Sequence, residues 1–212
     1  MRVIETFWDP ICPWCLIGLR RLERIRAARP DVATRIRWRP FRLNPWMPPE
    51  GMDRRAYLEA KFGGAEGAAR IYGHIAETAR AEGLAIDLDA IARTPDTAPA
   101  HALMARAEAA GRADALAQAL LDAFFGAARD ISDPDGLRAA AAAAGLDPSE
   151  ADAARADPEA RTAIAGHEMR ARALGVAGVP AYVVGGRLLP GGALPTSAWE
   201  TVFDALAAGA AA

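Results

Sequence analysis

The sequence C-P-W-C at residues 12–15 constrains this chain more than any other stretch, because it contains both of the chain's cysteines. It stands where an apolar run over residues 2–8, typical of a buried strand, gives way to a helical pattern over residues 13–28. Two thiols separated by two residues on the first turn of a helix lie within bonding distance of each other. In an intracellular chain this placement predicts a redox-active dithiol.

The position of each cysteine within the motif predicts its role. Cys12 is expected at the N-cap of the helix and Pro13 at the first helical position, where a missing N–H removes no intrahelical hydrogen bond. The positive end of the helix dipole and the free N–H groups there favour a thiolate, so we expect Cys12 to be the attacking thiol. Cys15, one turn further on the apolar side of the helix, is expected to be shielded and to resolve the mixed disulfide.

Composition allows a large core and excludes some classes of partner. The chain has 212 residues, 52% of them hydrophobic, so it needs no disulfide staple. A net charge of −2 and a pI of about 6.0 give no electrostatic basis for binding nucleic acid or an anionic membrane. No apolar run reaches the roughly 20 residues of a membrane span, and Met1 leads into the first strand without a signal-peptide pattern. These features predict a cytoplasmic protein.

Sequence patterns for a metal site or a nucleotide cofactor are missing. Two cysteines are too few for a tetrahedral zinc site without imidazoles, and His74, His101 and His167 stand at no usual ligand spacing. Neither the glycine-rich dinucleotide pattern nor the phosphate-binding P-loop pattern occurs. We therefore expect chemistry that uses no metal and no bound cofactor.

The order of periodic segments predicts the fold class. Strand 2–8, helix 13–28 and a half-exposed edge strand at 36–41 form a β-α-β unit. Alanine-rich helical segments follow at 53–62, 66–82, 96–110, 112–127, 133–144 and 148–155. The chain then shows helix 159–174, a hairpin of strands 181–184 and 187–189, and helix 199–208, which a capping box of Ser197 and Glu200 is expected to open. This order predicts an α/β fold with a mostly parallel sheet.

Further motifs follow the same order as in a known family. They are D-x-x-C-P-W-C-x-I-G at 9–18, W-R-P-F-x-L-N-P-x-M-P at 38–48, K-F-G at 61–63, Thr97 with Ala100-His101, G-V-x-G-V-P at 175–180 and G-A-x-P at 192–195. With them the chain resembles the DsbA family, a thioredoxin fold with a helical insertion, and within it the cytoplasmic FrnE-type dithiol-disulfide isomerases. Asp96, where Asn is common, and the looser turn at 190–193 depart from that pattern.

This resemblance implies an architecture and an activity. It implies a βαβ…αββα thioredoxin-fold domain with a mixed sheet over 1–44 and 157–212, and a helical domain inserted after the second strand at 45–156. It implies a cis Val179–Pro180 peptide bond beside the Cys12 sulfur. The implied activity is that of a protein thiol-disulfide oxidoreductase or isomerase that acts on protein or peptide thiols and disulfides, with glutathione as a further candidate partner.

Two other functions remain open. The kappa glutathione transferases and the 2-hydroxychromene-2-carboxylate isomerases resemble this fold but have Ser in place of the first cysteine. The presence of Cys12 favours dithiol chemistry over a glutathione-dependent reaction. A peptide-binding chaperone or a redox sensor, which would use the cleft without turnover, is the third hypothesis.

Several residues near the motif are candidates for supporting roles. Pro13 and Trp14 are expected to tune the redox potential, and Trp14 to be partly exposed and to contact the substrate. Asp9 either assists proton transfer at Cys15 or forms a local Asx turn or helix cap. The resemblance places His101 in the insertion that lines the cleft, although a lone histidine is more often structural.

Overall fold

The computed structural model describes residues 1–84 and 86–209. The strands are β1 Arg2–Trp8, β2 Thr34–Pro40, β3 Met52–Asp53, β4 Arg93–Thr94, β5 Ala181–Val184 and β6 Arg187–Leu188. The helices are α1 Pro13–Ala28, α2 Arg54–Phe62, α3 Ala65–Ala81, α4 Ala98–Ala109, α5 Ala113–Leu121 with a π-helical turn Asp122–Gly126, α6 Pro134–Ala143, α7 Ser149–Ala156, α8 Ala160–Ala173 and α9 Thr196–Ala207. The predicted helical segments and the α/β fold class are thus confirmed.

The chain divides into two compact units. One combines Met1–Leu43 with Ala165–Ala212 and contains the four-stranded sheet. The other, Asn44–Ile164, contains helices and, among its described residues, a two-stranded sheet of β3 and β4. This small sheet was not predicted from the sequence, because two-residue strands are too short to produce an alternating pattern.

The strand order in the main sheet is β2-β1-β5-β6. β1 and β2 are parallel, whereas β1–β5 and β5–β6 are antiparallel. The expectation of a mostly parallel sheet, drawn from element order alone, was therefore wrong, and the mixed sheet is correct. The predicted edge position of β2 is confirmed. Gly185 and Gly186, both at positive φ, form the two-residue turn of the β5–β6 hairpin.

Each face of the main sheet packs against helices, because successive strand residues point to opposite sides. On one face, Phe7 of β1 packs with Ala181 and Val183 of β5 and with Ala171 of α8. On the other face, Tyr182 of β5 lies against α1 and α9. α1 begins at Pro13, shortly after β1 ends at Trp8, so the fold places the cysteine motif at the carboxyl end of β1.

Helix ends follow local sequence signals with one exception. Asp53 caps α2 and Asp133 caps α6 through their carboxylates, and Gly145 stands in the left-handed region after α6. The predicted capping box at Ser197 was wrong, because α9 begins at Thr196 after Pro195, which leaves Ser197 inside the first turn.

None of the helices among the described residues is long and apolar enough to cross a membrane.

Candidate functional site: a buried dithiol at the start of a helix

The cysteine motif forms the first turn of α1 as the sequence predicted. Cys12 is the N-cap, with an extended backbone at φ −87° and ψ 114°, and Pro13 takes the first helical position. The Cys12 carbonyl accepts the Cys15 N–H at 2.9 Å and the Leu16 N–H at 3.3 Å. The Cys12 N–H donates to the Asp9 carbonyl at 3.0 Å, so the turn before the helix is fixed at both ends.

Both cysteines are free thiols and both are buried, with exposed fractions of 3% for Cys12 and 4% for Cys15. The shielding of Cys15 confirms the prediction. Cys12 is no more accessible than Cys15, which motif position alone did not indicate. Its Sγ donates to the Val179 carbonyl at 3.4 Å.

The Val179–Pro180 peptide bond is cis, as the family resemblance implied. Val179 and Pro180 immediately precede β5, whose first residue, Ala181, pairs with Phe7 near the end of β1. This register brings the loop before β5 to the same end of the sheet as the start of α1. The contact between Cys12 and Val179 follows from it, although the two residues are 167 positions apart.

The surroundings of the Cys15 thiol oppose its ionisation. Burial is the main cause that raises the pKa of the Cys15 thiol well above its ordinary range, and the hydrogen bond and charge of the neighbouring Cys12 sulfur raise it further. The negative charge of Asp9 acts in the same direction, against a backbone hydrogen bond from Asp9 that lowers the pKa. Burial at this position therefore favours the protonated form of the Cys15 thiol.

Asp9 is completely buried beneath the motif. Its Oδ1 accepts the Ile11 N–H at 3.4 Å, and its Oδ2 accepts the Leu43 N–H at 2.7 Å. The first contact is an Asx turn, so the local structural role predicted for Asp9 is confirmed. The Asp9 charge also acts on Cys15, but its role in proton transfer stays a prediction.

A second buried carboxylate fixes the adjoining segment after β2. Oε1 of Glu168 accepts both the backbone N–H of Arg42 at 2.9 Å and its Nε–H at 2.8 Å, and Oε2 accepts from Nη2 at 3.1 Å. Sequence reasoning missed this pair, because a contact across 126 residues leaves no local pattern. Arg42 and Leu43 are thus held by two different carboxylates, those of Glu168 and Asp9.

The remaining predicted residues have mixed outcomes. Trp14 is partly exposed, as expected for a side chain between the two cysteines. His101 is buried in α4 of the helical unit, and its placement beside the dithiol stays a prediction. Across residues 1–84 and 86–209, no group of three or more His, Cys, Asp or Glu side chains is arranged to hold a metal ion.

Sequence reasoning also missed Tyr182 of β5. Burial is the main cause that raises its pKa well above the ordinary range, and the charges of Cys15 and Cys12 add to this rise. Its hydroxyl lies against Gly18, which is one turn after Cys15 in α1. A glycine inside a strongly periodic helix was the available signal, since such a residue indicates close approach by another group.

Comparison with known proteins identifies relatives over almost the whole chain. The family described as the DSBA-like thioredoxin domain matches residues 3–206. A probable DsbA oxidoreductase from Streptomyces coelicolor is 30% identical, with a TM-score of 0.85 over 99% of this chain and 91% of that one. A search of curated proteins found no match.

Two more distant structures show similarity of fold alone. The cytosolic disulfide reductase DsbM from Pseudomonas aeruginosa is 23% identical, with a TM-score of 0.66 over 97% of this chain and 95% of that one. A second structure of that protein contains GSH. A 2-hydroxychromene-2-carboxylate isomerase is 14% identical, with a TM-score of 0.68 over 96% and 95% of the two chains. The family match over residues 3–206, together with the 30% identical relative, shows that this chain belongs to the DsbA-like thioredoxin-domain family of thiol oxidoreductases.

Proposed function

We propose that the chain is a protein thiol-disulfide oxidoreductase or isomerase of the cytoplasmic FrnE type, which cycles Cys12 and Cys15 between dithiol and disulfide. One observation carries the proposal. Cys12 caps a helix that begins with Pro13, and its Sγ lies 3.4 Å from the carbonyl of Val179, which precedes a cis proline. This arrangement combines a helix N-terminus that favours a thiolate with an adjacent backbone segment that a client chain can approach.

In the first step the Cys12 thiolate attacks a disulfide of the client. A bond forms between the Cys12 sulfur and one client sulfur while the client's S–S bond breaks. The other client sulfur leaves as a thiolate and takes up a proton. Ionisation of Cys12 removes the hydrogen that its Sγ donates to Val179. The Val179 carbonyl then becomes available to accept an N–H from an extended client segment, which supports strand-like pairing beside the reacting sulfur.

In the second step Cys15 loses its proton and its sulfur attacks Cys12 in the mixed disulfide. The internal disulfide forms, and the client departs with both electrons of the broken bond and with a proton. Asp9 is our candidate for moving that proton, because it is buried, it is anchored at both oxygens and its charge acts on Cys15. Trp14, which is partly exposed between the cysteines, is proposed to supply apolar contact to the client.

The partner class follows from this chemistry. Protein or peptide thiols and disulfides are the proposed substrates, and glutathione is the proposed small-molecule thiol that recycles the pair in a reducing cytoplasm. The similar fold of DsbM, which has been solved with GSH, supports the inclusion of glutathione. An equilibrium titration of the couple against glutathione, followed by Trp fluorescence, tests this part. A Cys12–Cys15 pair that stays reduced at every ratio of oxidised to reduced glutathione would contradict the proposed role of glutathione.

Serine variants of the two cysteines test the main proposal. Cys12→Ser is expected to abolish insulin reduction and refolding of a scrambled disulfide protein, while its fold is retained. Cys15→Ser is expected to accumulate a mixed disulfide with the client, since the resolving thiol is gone. Full activity in Cys12→Ser would reject dithiol catalysis. If client binding survives the loss of both cysteines, the chaperone hypothesis is favoured instead. If the protein turns over a chromene-like acid in a reaction that requires glutathione but not Cys15, the transferase branch is favoured.

A further inference from the structure

Tyr182 has a hydroxyl group at a position where packing needs only an aromatic ring. The side chain is 1% exposed, and its ring packs edge-on against Trp199 with centroids 4.7 Å apart. Phenylalanine would fill the same space, and a buried hydroxyl carries a desolvation cost that a phenyl ring does not. The hydroxyl therefore calls for a reason other than core packing.

The backbone of α1 lies very close to the Tyr182 hydroxyl. A Cβ placed on Gly18 would lie 2.5 Å from the Tyr182 oxygen and 3.1 Å from Cγ of Pro180. Residue 18 must therefore be glycine for the hydroxyl to occupy this position, although glycine weakens a helix interior relative to alanine. Two unfavourable choices, the buried hydroxyl and the helical glycine, thus meet at one point beside the cis proline.

That point lies on the dithiol side of α1. Gly18 follows Cys15 by three residues, and residues with this spacing share a helix face. Burial, and next the charges of Cys15 and Cys12, raise the pKa of Tyr182, whereas Arg21 lowers it. The phenol therefore stays neutral over the pH range in which thiols ionise, and it keeps a proton with which to form a hydrogen bond.

We propose that the Tyr182 hydroxyl stabilises the Cys15 thiolate during the resolving step, an inference that rests on the proposed dithiol exchange. Cys15 loses its proton, its sulfur bonds to Cys12, the bond between Cys12 and the client breaks, and the client thiol leaves with the electron pair and a proton. Tyr182 is not consumed and donates no proton outright. It acts electrostatically, because its O–H dipole offsets the loss of hydration at a buried sulfur anion.

An aromatic disulfide whose leaving thiolate absorbs in the visible separates the two steps. Attack by Cys12 releases the first thiolate, and resolution by Cys15 releases the second. Tyr182→Phe is expected to leave the first phase unchanged and to slow the second about tenfold or more, the factor expected for loss of a hydrogen bond to a charged group. The pH profile of the second phase should move to higher pH, which a merely structural role would not produce.

Glycine variants provide an independent comparison. Gly18→Ala would displace the hydroxyl and should also slow the second phase. Gly166→Ala in α8, where the added Cβ meets open space, should behave as wild type. A second phase in Tyr182→Phe within about twofold of wild type, or equal slowing of both phases, would overturn this inference alone. If the wild-type protein shows no second phase, the dithiol function falls and this inference falls with it.

Discussion

Loss of the buried carboxylate at Glu168 should destabilise the thioredoxin-fold unit strongly. The side chains of Arg42 and Glu168 are only 8% and 4% exposed, and Glu168 accepts three hydrogen bonds from Arg42. Glu168→Gln retains the size but removes the charge and places an NH₂ group against donors. Breaking a buried pair on one side costs about 3–5 kcal/mol, because the remaining charge is left uncompensated. For a chain of this size that corresponds to a Tm lowered by roughly 6–20 °C.

Thermal and guanidinium unfolding, followed by circular dichroism at neutral pH, measure this loss. The matched control is Glu59→Gln, which breaks the pair with Arg55, where the side chains are 38% and 85% exposed. That variant should cost no more than about 0.5 kcal/mol, since exposed pairs within a helix contribute little. A Glu168→Gln protein that unfolds within about 1 kcal/mol of wild type would refute the argument that this pair anchors the segment after β2.

Three further predictions concern stability. The hydrogen bond from Arg170 is the main cause that lowers the pKa of Glu5 from 4.5 to about 2. The stabilisation from the ionised Glu5 should therefore be complete above pH 4.5 and be lost as the pH falls from 4.5 to 2. In Glu5→Gln, the free energy of unfolding should depend less on pH over that window. Gly67→Ala should destabilise α3, because its Cβ would lie 2.0 Å from the Phe62 carbonyl oxygen, whereas Gly73→Ala in the same helix meets open space and should stabilise by about 0.5–1 kcal/mol in chemical denaturation. Asp133→Ala should cost about 1 kcal/mol in the same assay, since its carboxylate accepts two N–H groups at the start of α6.

The sequence predicted those features that depend on neighbouring residues. The start of α1 at Pro13, its N-cap at Cys12 and the glycine turn of the β5–β6 hairpin are all encoded within a few positions, and all are confirmed. The order and direction of the other strands could not be predicted in this way, because they depend on how β5 pairs with β1, far away in sequence. The β-α-β segment determines only the parallel β1–β2 pair, so the inference of a mostly parallel sheet extended a local rule beyond its range.

The candidate site likewise has features that local sequence predicts and features that depend on distant residues. Cys12 and Cys15 could be recognised from their spacing, whereas the cis state of Pro180 could be expected only from the family resemblance. Burial of the attacking thiol was not predictable, because it depends on the loop at Val179, far away in sequence. Tyr182 looked like an ordinary core residue, since aromatic residues are common in strands and nothing in a single strand shows where a hydroxyl lies.

Two buried polar groups near the dithiol, Asp9 and Tyr182, are proposed to act on Cys15. Burial favours the neutral form of the Cys15 thiol, although the proposed resolving step requires its anion. In this proposal the Asp9 carboxylate takes up the Cys15 proton, and the neutral Tyr182 phenol solvates the resulting anion. Within the proposed mechanism, this arrangement of buried residues therefore assists the resolving step, in which Cys15 must ionise.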